Sequence, residues 1–119
     1  MFKGLYSEYL SHHTMIQDEH RTLGFYNAIK TKIAPNDVVV DFGSGSGVLA
    51  VLCAKLGASK VYAVEQNKQL HTTIEALAKA NDVRDKIEIH SVTSDVFIES
   101  FTGKVDLLVS EGIGDHDHR

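Results

Sequence analysis

The sequence predicts an α/β domain: a parallel sheet of about four strands in the spatial order 3-2-1-4, layered between helices, with an added N-terminal helix. Three observations predict it. Four short apolar runs, Val38-Val-Val-Asp-Phe42, Val61-Tyr-Ala-Val64, Ile87-Glu-Ile-His90 and Val105-Asp-Leu-Leu-Val-Ser110, have the length and β-branched content of strands. Helical periodicity separates the first three, which makes successive strands parallel and joined by right-handed crossovers. The first run also ends in Asp41 and passes through Gly43, Gly45 and Gly47 into the apolar stretch that begins at Val48. Strand, glycine turn and helix in that order open a Rossmann-like three-layer sandwich, here truncated to about four strands.

The elements follow in order. Residues 14–33 read as a helix, opened by a capping box of Thr14 with Gln17 and carrying Leu23, Tyr26, Ile29 and Ile33 at helical spacing, with Gly24 as its weak point. Ala34-Pro-Asn-Asp37 is a turn and holds the single proline. Strand one is 37–42. The helix 48–56 is almost wholly apolar, so it should be covered on most sides, and Gly57 caps its end. Strand two is 60–65. Asn67 is the N-cap of the next helix, which buries Leu70, Ile74, Leu77 and Ala78. Strand three is 87–90, a loop follows, and strand four is 105–110. There is no internal repeat, so 1–119 reads as one domain: an N-terminal helical lid, 1–34, and a half-sheet, 35–119.

Composition bounds the function. The chain has 119 residues and a net charge of −4 with interspersed signs, giving no general attraction to nucleic acid or to acidic membranes. No apolar run is long enough to cross a bilayer, and no secretory signal precedes the first helix. The single cysteine, Cys53, excludes an internal disulfide and lies in the apolar helix as a buried, inert thiol. A reducing cytoplasm is the expected compartment.

The glycine spacing speaks to the ligand. A dinucleotide loop reads G-x-G-x-x-G and seats a pyrophosphate on the helix N-terminus. Here the pattern is G-x-G-x-G, preceded by an acid that would repel a pyrophosphate but attract a cationic amino-acid tail. S-adenosylmethionine carries an ammonium and a sulfonium and no phosphate. Gly43, Gly45 and Gly47 would permit close approach of its nucleoside. Glu65, at the end of strand two, can accept both ribose hydroxyls, with Gln66 beside it.

Asp41-Phe-Gly-Ser-Gly-Ser-Gly47 and Val61-Tyr-Ala-Val-Glu65 resemble the motifs of class I S-adenosylmethionine-dependent methyltransferases. Asp18-Glu-His-Arg-Thr-Leu23, Lys79-Ala-Asn81 and Val109-Ser-Glu-Gly112 resemble the protein arginine methyltransferase-like branch. The resemblance covers about residues 6–114. It implies that Arg21 pairs with the cofactor carboxylate, that Asp41 and the glycines hold the methionine side, and that Glu65 holds the ribose. Ser94 or Asp95 falls at the adenine side, where the family usually has a glutamate. Tyr6 and Tyr9 resemble the N-terminal tyrosines that fold over the cofactor, and His12 or His13 would lie near its entrance.

Glu111 matches the first of two glutamates that hold a substrate guanidinium in that branch, and would be the catalytic residue. The second would fall just after Arg119, and the family tryptophan is Gly112 here, so arginine as the acceptor does not follow. The reading is a methyltransferase acting on a nitrogen or oxygen nucleophile, the acceptor being a protein side chain, a peptide or a small molecule. Its alternative is a non-catalytic cofactor-binding module that needs a partner to complete the acceptor site. A nicotinamide dehydrogenase is a third reading, opposed by the acid before the glycines. Methyl transfer needs no metal, and the tail Gly114-Asp-His-Asp-His-Arg119 offers too few ligands for a closed metal site. Strand four would be an exposed apolar edge, covered by a second copy or by a partner chain.

Overall fold

The structure, a computed structural model, describes the backbone of residues 16–110 and the side chains of residues 23–110. The expectations placed on Tyr6, Tyr9, His12, His13 and Thr14, on the Arg21 side chain, and on Glu111 through Arg119 lie outside the described residues. The chain runs α1 (Ile16–Lys30), β1 (Val38–Phe42), α2 (Val48–Lys55), β2 (Lys60–Val64), α3 (Leu70–Ala80), a 3-10 turn (Arg84–Lys86), β3 (Ile87–His90), α4 (Ser94–Ser100) and β4 (Leu107–Val109). The four strands form one parallel sheet in the order β3-β2-β1-β4, as expected. The register pairs Val39 with both Val61 and Leu107, and Val61 in turn with Ile87.

Strand alternation divides the core in two. Val39, Val61, Ala63 and Ile87 face α1, α2 and α3, where they meet Ile29, the α2 residues Val48 to Ala54, and Ile74, Leu77 and Ala78. Every residue from Val48 to Ala54 is buried, which accounts for a helix without a polar face. Val40 and Val64 face the other way, toward Phe97 of α4, with Phe42, Tyr62 and Phe101 around them. That second layer is an aromatic cluster. Phe97 stacks on Phe101 with ring centres 5.0 Å apart and stands edge-on to His90 at 5.1 Å and to Phe42 at 6.1 Å.

Several boundaries differ from the sequence reading. α1 ends at Lys30, where Lys32 and Ile33 both donate to the Ile29 carbonyl, so Ile33 packs on the core from outside the helix. Leu23 is 39% exposed rather than part of the core. Strand four is shorter than 105–110, since only Leu107 to Val109 reach the ladder. The largest correction is α4, within the segment read as a loop. Only Phe97 of that helix is buried, while Val96 and Ile98 stand 49% and 59% exposed, so no helical apolar stripe marks it. Its signal was Thr93, whose hydroxyl accepts from the Val96 N–H as an N-cap.

Helix ends explain the turns. Beyond α2, Gly57 takes φ +122° while Ala58 donates to the Cys53 carbonyl and Gly57 to that of Ala54, a Schellman closure. α3 closes the same way, with Val83 donating to Ala78 and Asp82 to Lys79. Asn81, buried there, turns its carboxamide back to the Leu77 carbonyl at 2.9 Å.

Two stability predictions arise from this frame. Gly24 lies within α1, and a Cβ added to it would meet nothing within 4 Å. G24A is expected to raise the unfolding free energy by ~1 kcal/mol, because alanine loses less backbone entropy in a helix. A denaturant midpoint that falls instead would contradict that account. The second concerns Glu75. Lys79 above all, and then Arg84, hold its carboxyl below the ordinary value of 4.5, against a smaller opposing effect of desolvation. A depressed folded-state pKa gives stability that is complete above the unfolded value and is lost as pH falls through the folded one. The melting-temperature gap between wild type and E75Q should therefore shrink as pH is lowered from ~7 toward ~3. A gap independent of pH would mean that the pairing does not contribute.

Candidate functional site

The site lies at the carboxyl ends of β1 and β2, the rim on which open α/β sheets bind ligands. β1 delivers Asp41 into the turn Gly43 to Gly47. That turn is anchored to the neighbouring strand, because the Gly43 and Ser44 N–H groups both donate to the Val64 carbonyl, at 2.8 and 3.1 Å. Positive φ at Gly43 (+67°), Gly45 (+59°) and Gly47 (+94°) makes each a position that L side chains rarely adopt.

The three glycines do different things. A Cβ at Gly43 would meet nothing within 4 Å, and one at Gly45 only the Gly43 carbonyl at 3.9 Å, so the loop presents an open cradle of bare backbone. Gly47 faces inward: its Cβ would lie 3.1 Å from Ile74 Cγ2 and 3.3 Å from Ile74 Cα. Here the close approach is between the start of α2 and α3, not between the loop and a ligand.

Asp41 is fully buried beneath the loop, and the hydroxyl of Ser44, also buried, donates to its Oδ2 at 2.8 Å. Its charge therefore acts through the turn and not at the surface. Ser44 had no distinguishing mark in the sequence, since its partner three residues back becomes apparent only once the turn is folded. Burial, and secondarily the Asp41 charge, push the Cys53 thiol far above its ordinary range, so it is inert at neutral pH.

Glu65 is half-buried where β2 ends, its own N–H donating to the His90 carbonyl of β3. Its Oε1 accepts from the Gly45 N–H at 2.8 Å and its Oε2 from the Asn67 N–H at 3.0 Å. The carboxylate thus joins the glycine loop to the β2–α3 turn. A carboxylate has about four acceptor sites, so two hydrogen bonds leave capacity for a pair of ligand hydroxyls. Bare backbone at Gly43 and Gly45 beside such an acceptor fits a nucleoside.

Asn67 does not sit at the start of the helix as expected. α3 begins at Leu70, and the Asn67 carboxamide instead accepts from the Gln69 N–H at 3.0 Å in a lead-in turn. Gln66 is exposed next to Glu65, and Ser94 and Asp95 are exposed in the first turn of α4, on the same rim because α4 starts just after β3 ends. His71 Nδ1 and Ser91 Oγ, 3.4 Å apart, also lie there and were not singled out from the sequence. The structure thus brings Asp41, Gly43, Gly45 and Glu65 together through the loop, and turns Gly47 away. Among the described residues, no three His, Cys, Asp or Glu side chains are grouped as metal ligands.

Comparison with known proteins identifies the family. Residues 19–114 match the family model described as ribosomal protein L11 methyltransferase (PrmA). The chain is 39% identical over 112 residues to "Probable protein arginine N-methyltransferase 6.1" of Oryza sativa subsp. indica, covering 92% of this chain and 28% of the relative. It is 36% identical over 116 residues to protein arginine N-methyltransferase 6 of Danio rerio, covering 96% of this chain and 32% of the relative. Among solved structures, the Trypanosoma brucei PRMT1 enzyme-prozyme heterotetrameric complex with AdoHcy superposes with a TM-score of 0.69 at 32% identity, over 89% of this chain and 33% of that one. The chain therefore spans about a third or less of the length of these relatives. With its PrmA match, its four-stranded sheet and these relatives taken together, the chain belongs to the class I S-adenosylmethionine-dependent methyltransferases and is arginine methyltransferase-like.

Proposed function

We propose that the chain is the cofactor-binding core of a methyltransferase that passes a methyl group from S-adenosylmethionine to a nitrogen, or oxygen, nucleophile. The observation that carries this reading is the Glu65 carboxylate, fixed by the Gly45 and Asn67 N–H groups beside an open glycine cradle. When bound, S-adenosylmethionine supplies an electrophilic methyl on a sulfonium. The residues of the chain bind and orient. Glu65 accepts the ribose hydroxyls, with Gln66 alongside. Gly43 and Gly45 admit the nucleoside, Asp41 attracts the cationic methionine end through the loop, and Gly47 keeps α2 seated so that the loop holds its shape. Arg21 pairs with the methionine carboxylate, as a fork of donors suits. Ser94 and Asp95 flank the adenine. Glu111 orients the acceptor or takes its proton. Positioning of this kind can provide effective molarities of order 10⁵ M or more.

Calorimetric titration of the full chain with S-adenosylhomocysteine tests the reading. E65A is expected to weaken binding ~100-fold or more, as loss of two hydrogen bonds to a charged group implies. A variant that binds like wild type would remove Glu65 from the site.

The second reading, a binding module completed by a partner, is supported by the β4 edge. β4 pairs only with β1, and Leu108 on it is 60% exposed. A second copy or a partner chain would cover such an edge. Methyl transfer by the chain alone, measured with labelled cofactor and arginine-containing peptides, separates the two readings. None of its described helices is long and apolar enough to cross a membrane. We place the protein in the cytoplasm, where a free buried Cys53 stays reduced.

A further inference from the structure

We propose that Asn67 is a positioning residue for the cofactor site, presetting Glu65 through the turn that it closes. The proposal rests on the reading of Glu65 as the ribose acceptor. Asn67 is exposed, yet each of its polar backbone groups is engaged. Its N–H donates to Glu65 Oε2 at 3.0 Å, and its carbonyl accepts from the Leu70 N–H at 2.9 Å. Its Oδ1 accepts from the Gln69 N–H at 3.0 Å, which makes residues 67–69 an Asx turn. That side-chain bond fixes the peptide orientation around Asn67, and so aims the N–H at the carboxylate.

The opposite oxygen, Oε1, is held at 2.8 Å by Gly45. A carboxylate gripped on one oxygen alone can rotate about its last torsion; gripped on both, it presents its remaining acceptor sites in one direction. Two ribose hydroxyls need that direction set before they arrive, because ordering the side chain on binding would otherwise reduce affinity. Asn67 thus acts on the ligand through Glu65 without touching it. Its carboxamide is the only part of this arrangement that the side chain determines, since the N–H and carbonyl are present in any residue but proline.

The test is calorimetric titration of the full chain with S-adenosylhomocysteine and with its 2′-deoxy analogue. N67A removes the acceptor, N67S restores one without adding charge, and both are made with and without E65A. N67A is expected to weaken S-adenosylhomocysteine ~10-fold, as loss of one well-aligned charge-assisted hydrogen bond would, with N67S close to wild type. The penalty for the missing 2′-hydroxyl should shrink in N67A, a change that a merely structural role would not produce. In the E65A background N67A should have no further effect. If E65A weakens binding and N67A does not, positioning by Asn67 is refuted while the ribose reading stands. If N67A weakens binding equally in both backgrounds, its effect does not run through Glu65 and the proposal fails. If E65A or the wild type itself departs from the expected binding pattern, so that Glu65 does not matter or no ligand binds, both readings fall. Thermal unfolding of N67A within ~2 °C of wild type is the expected companion result, since surface changes are usually small; a larger drop would make its role one of folding and overturn the proposal.

Discussion

Replacing Phe97 with alanine is expected to lower the unfolding free energy by ~3–5 kcal/mol, the range for removing a buried phenylalanine. Phe97 is 3% exposed and is the single buried residue of α4. Its ring contacts His90 and Phe42 edge-on, stacks on Phe101, and tilts against Tyr62 at 5.9 Å. No second buried residue on the helix shares the load, so the site cannot collapse onto a neighbour. For a domain of this size the melting temperature should fall by more than ~10 °C. I98A is the control: Ile98 lies one residue along the same helix but is 59% exposed, and its truncation should change stability by less than ~0.5 kcal/mol. Equal effects of the two changes would mean that the aromatic cluster does not anchor α4. Because α4 carries Ser94 and Asp95, F97A should also weaken S-adenosylhomocysteine under conditions where the variant remains folded.

Gly47 should be nearly as sensitive. Its φ of +94° strains any L side chain, at ~1–2 kcal/mol, and the Ile74 contacts at 3.1–3.3 Å add overpacking of ~1–3 kcal/mol. G47A is therefore expected to destabilise by ~2–5 kcal/mol in denaturant unfolding. The two causes can be separated with I74A, which removes Cγ1 and Cγ2 but leaves Cα in place. The double variant should be less damaged than the two single effects added together, since the γ carbons no longer meet the new Cβ. Strict additivity would assign the whole effect to backbone strain. G43A, with the same sign of φ but open space around its Cβ, should suffer the strain alone.

The sheet was legible because its strands are read from apolar runs with punctuation at both ends, and because parallel crossovers restrict their order. The glycine turn was legible for the same reason: positive φ selects glycine, and three in alternation leave a visible mark. What the sequence hid depends on folded neighbours. The Gly47–Ile74 contact joins residues on different helices, so Gly47 looked like its two companions. α4 was hidden because a short helix anchored by one side chain has no periodicity to detect. The clamp on Glu65 was hidden because backbone N–H groups of Gly45 and Asn67 make it, and any residue type supplies those. Leu23 shows the reverse error: at a core spacing, but with no neighbour above it.

The position of β1 in the middle of the sheet has a consequence for the order in which the chain can be assembled during synthesis. β1 pairs with β2 through a local crossover, and that half can form once residue 64 is free. Its other flank waits for β4, which arrives last, and the Val38 N–H meets the Asp106 carboxylate across a separation of 68 residues. Loop closure over such a span is slow relative to local pairing. A nascent chain thus carries its most apolar strand half-paired while α3, β3 and α4 are made. The glycine cradle, built from the β1–β2 side alone, takes shape before the strand beneath it is sealed.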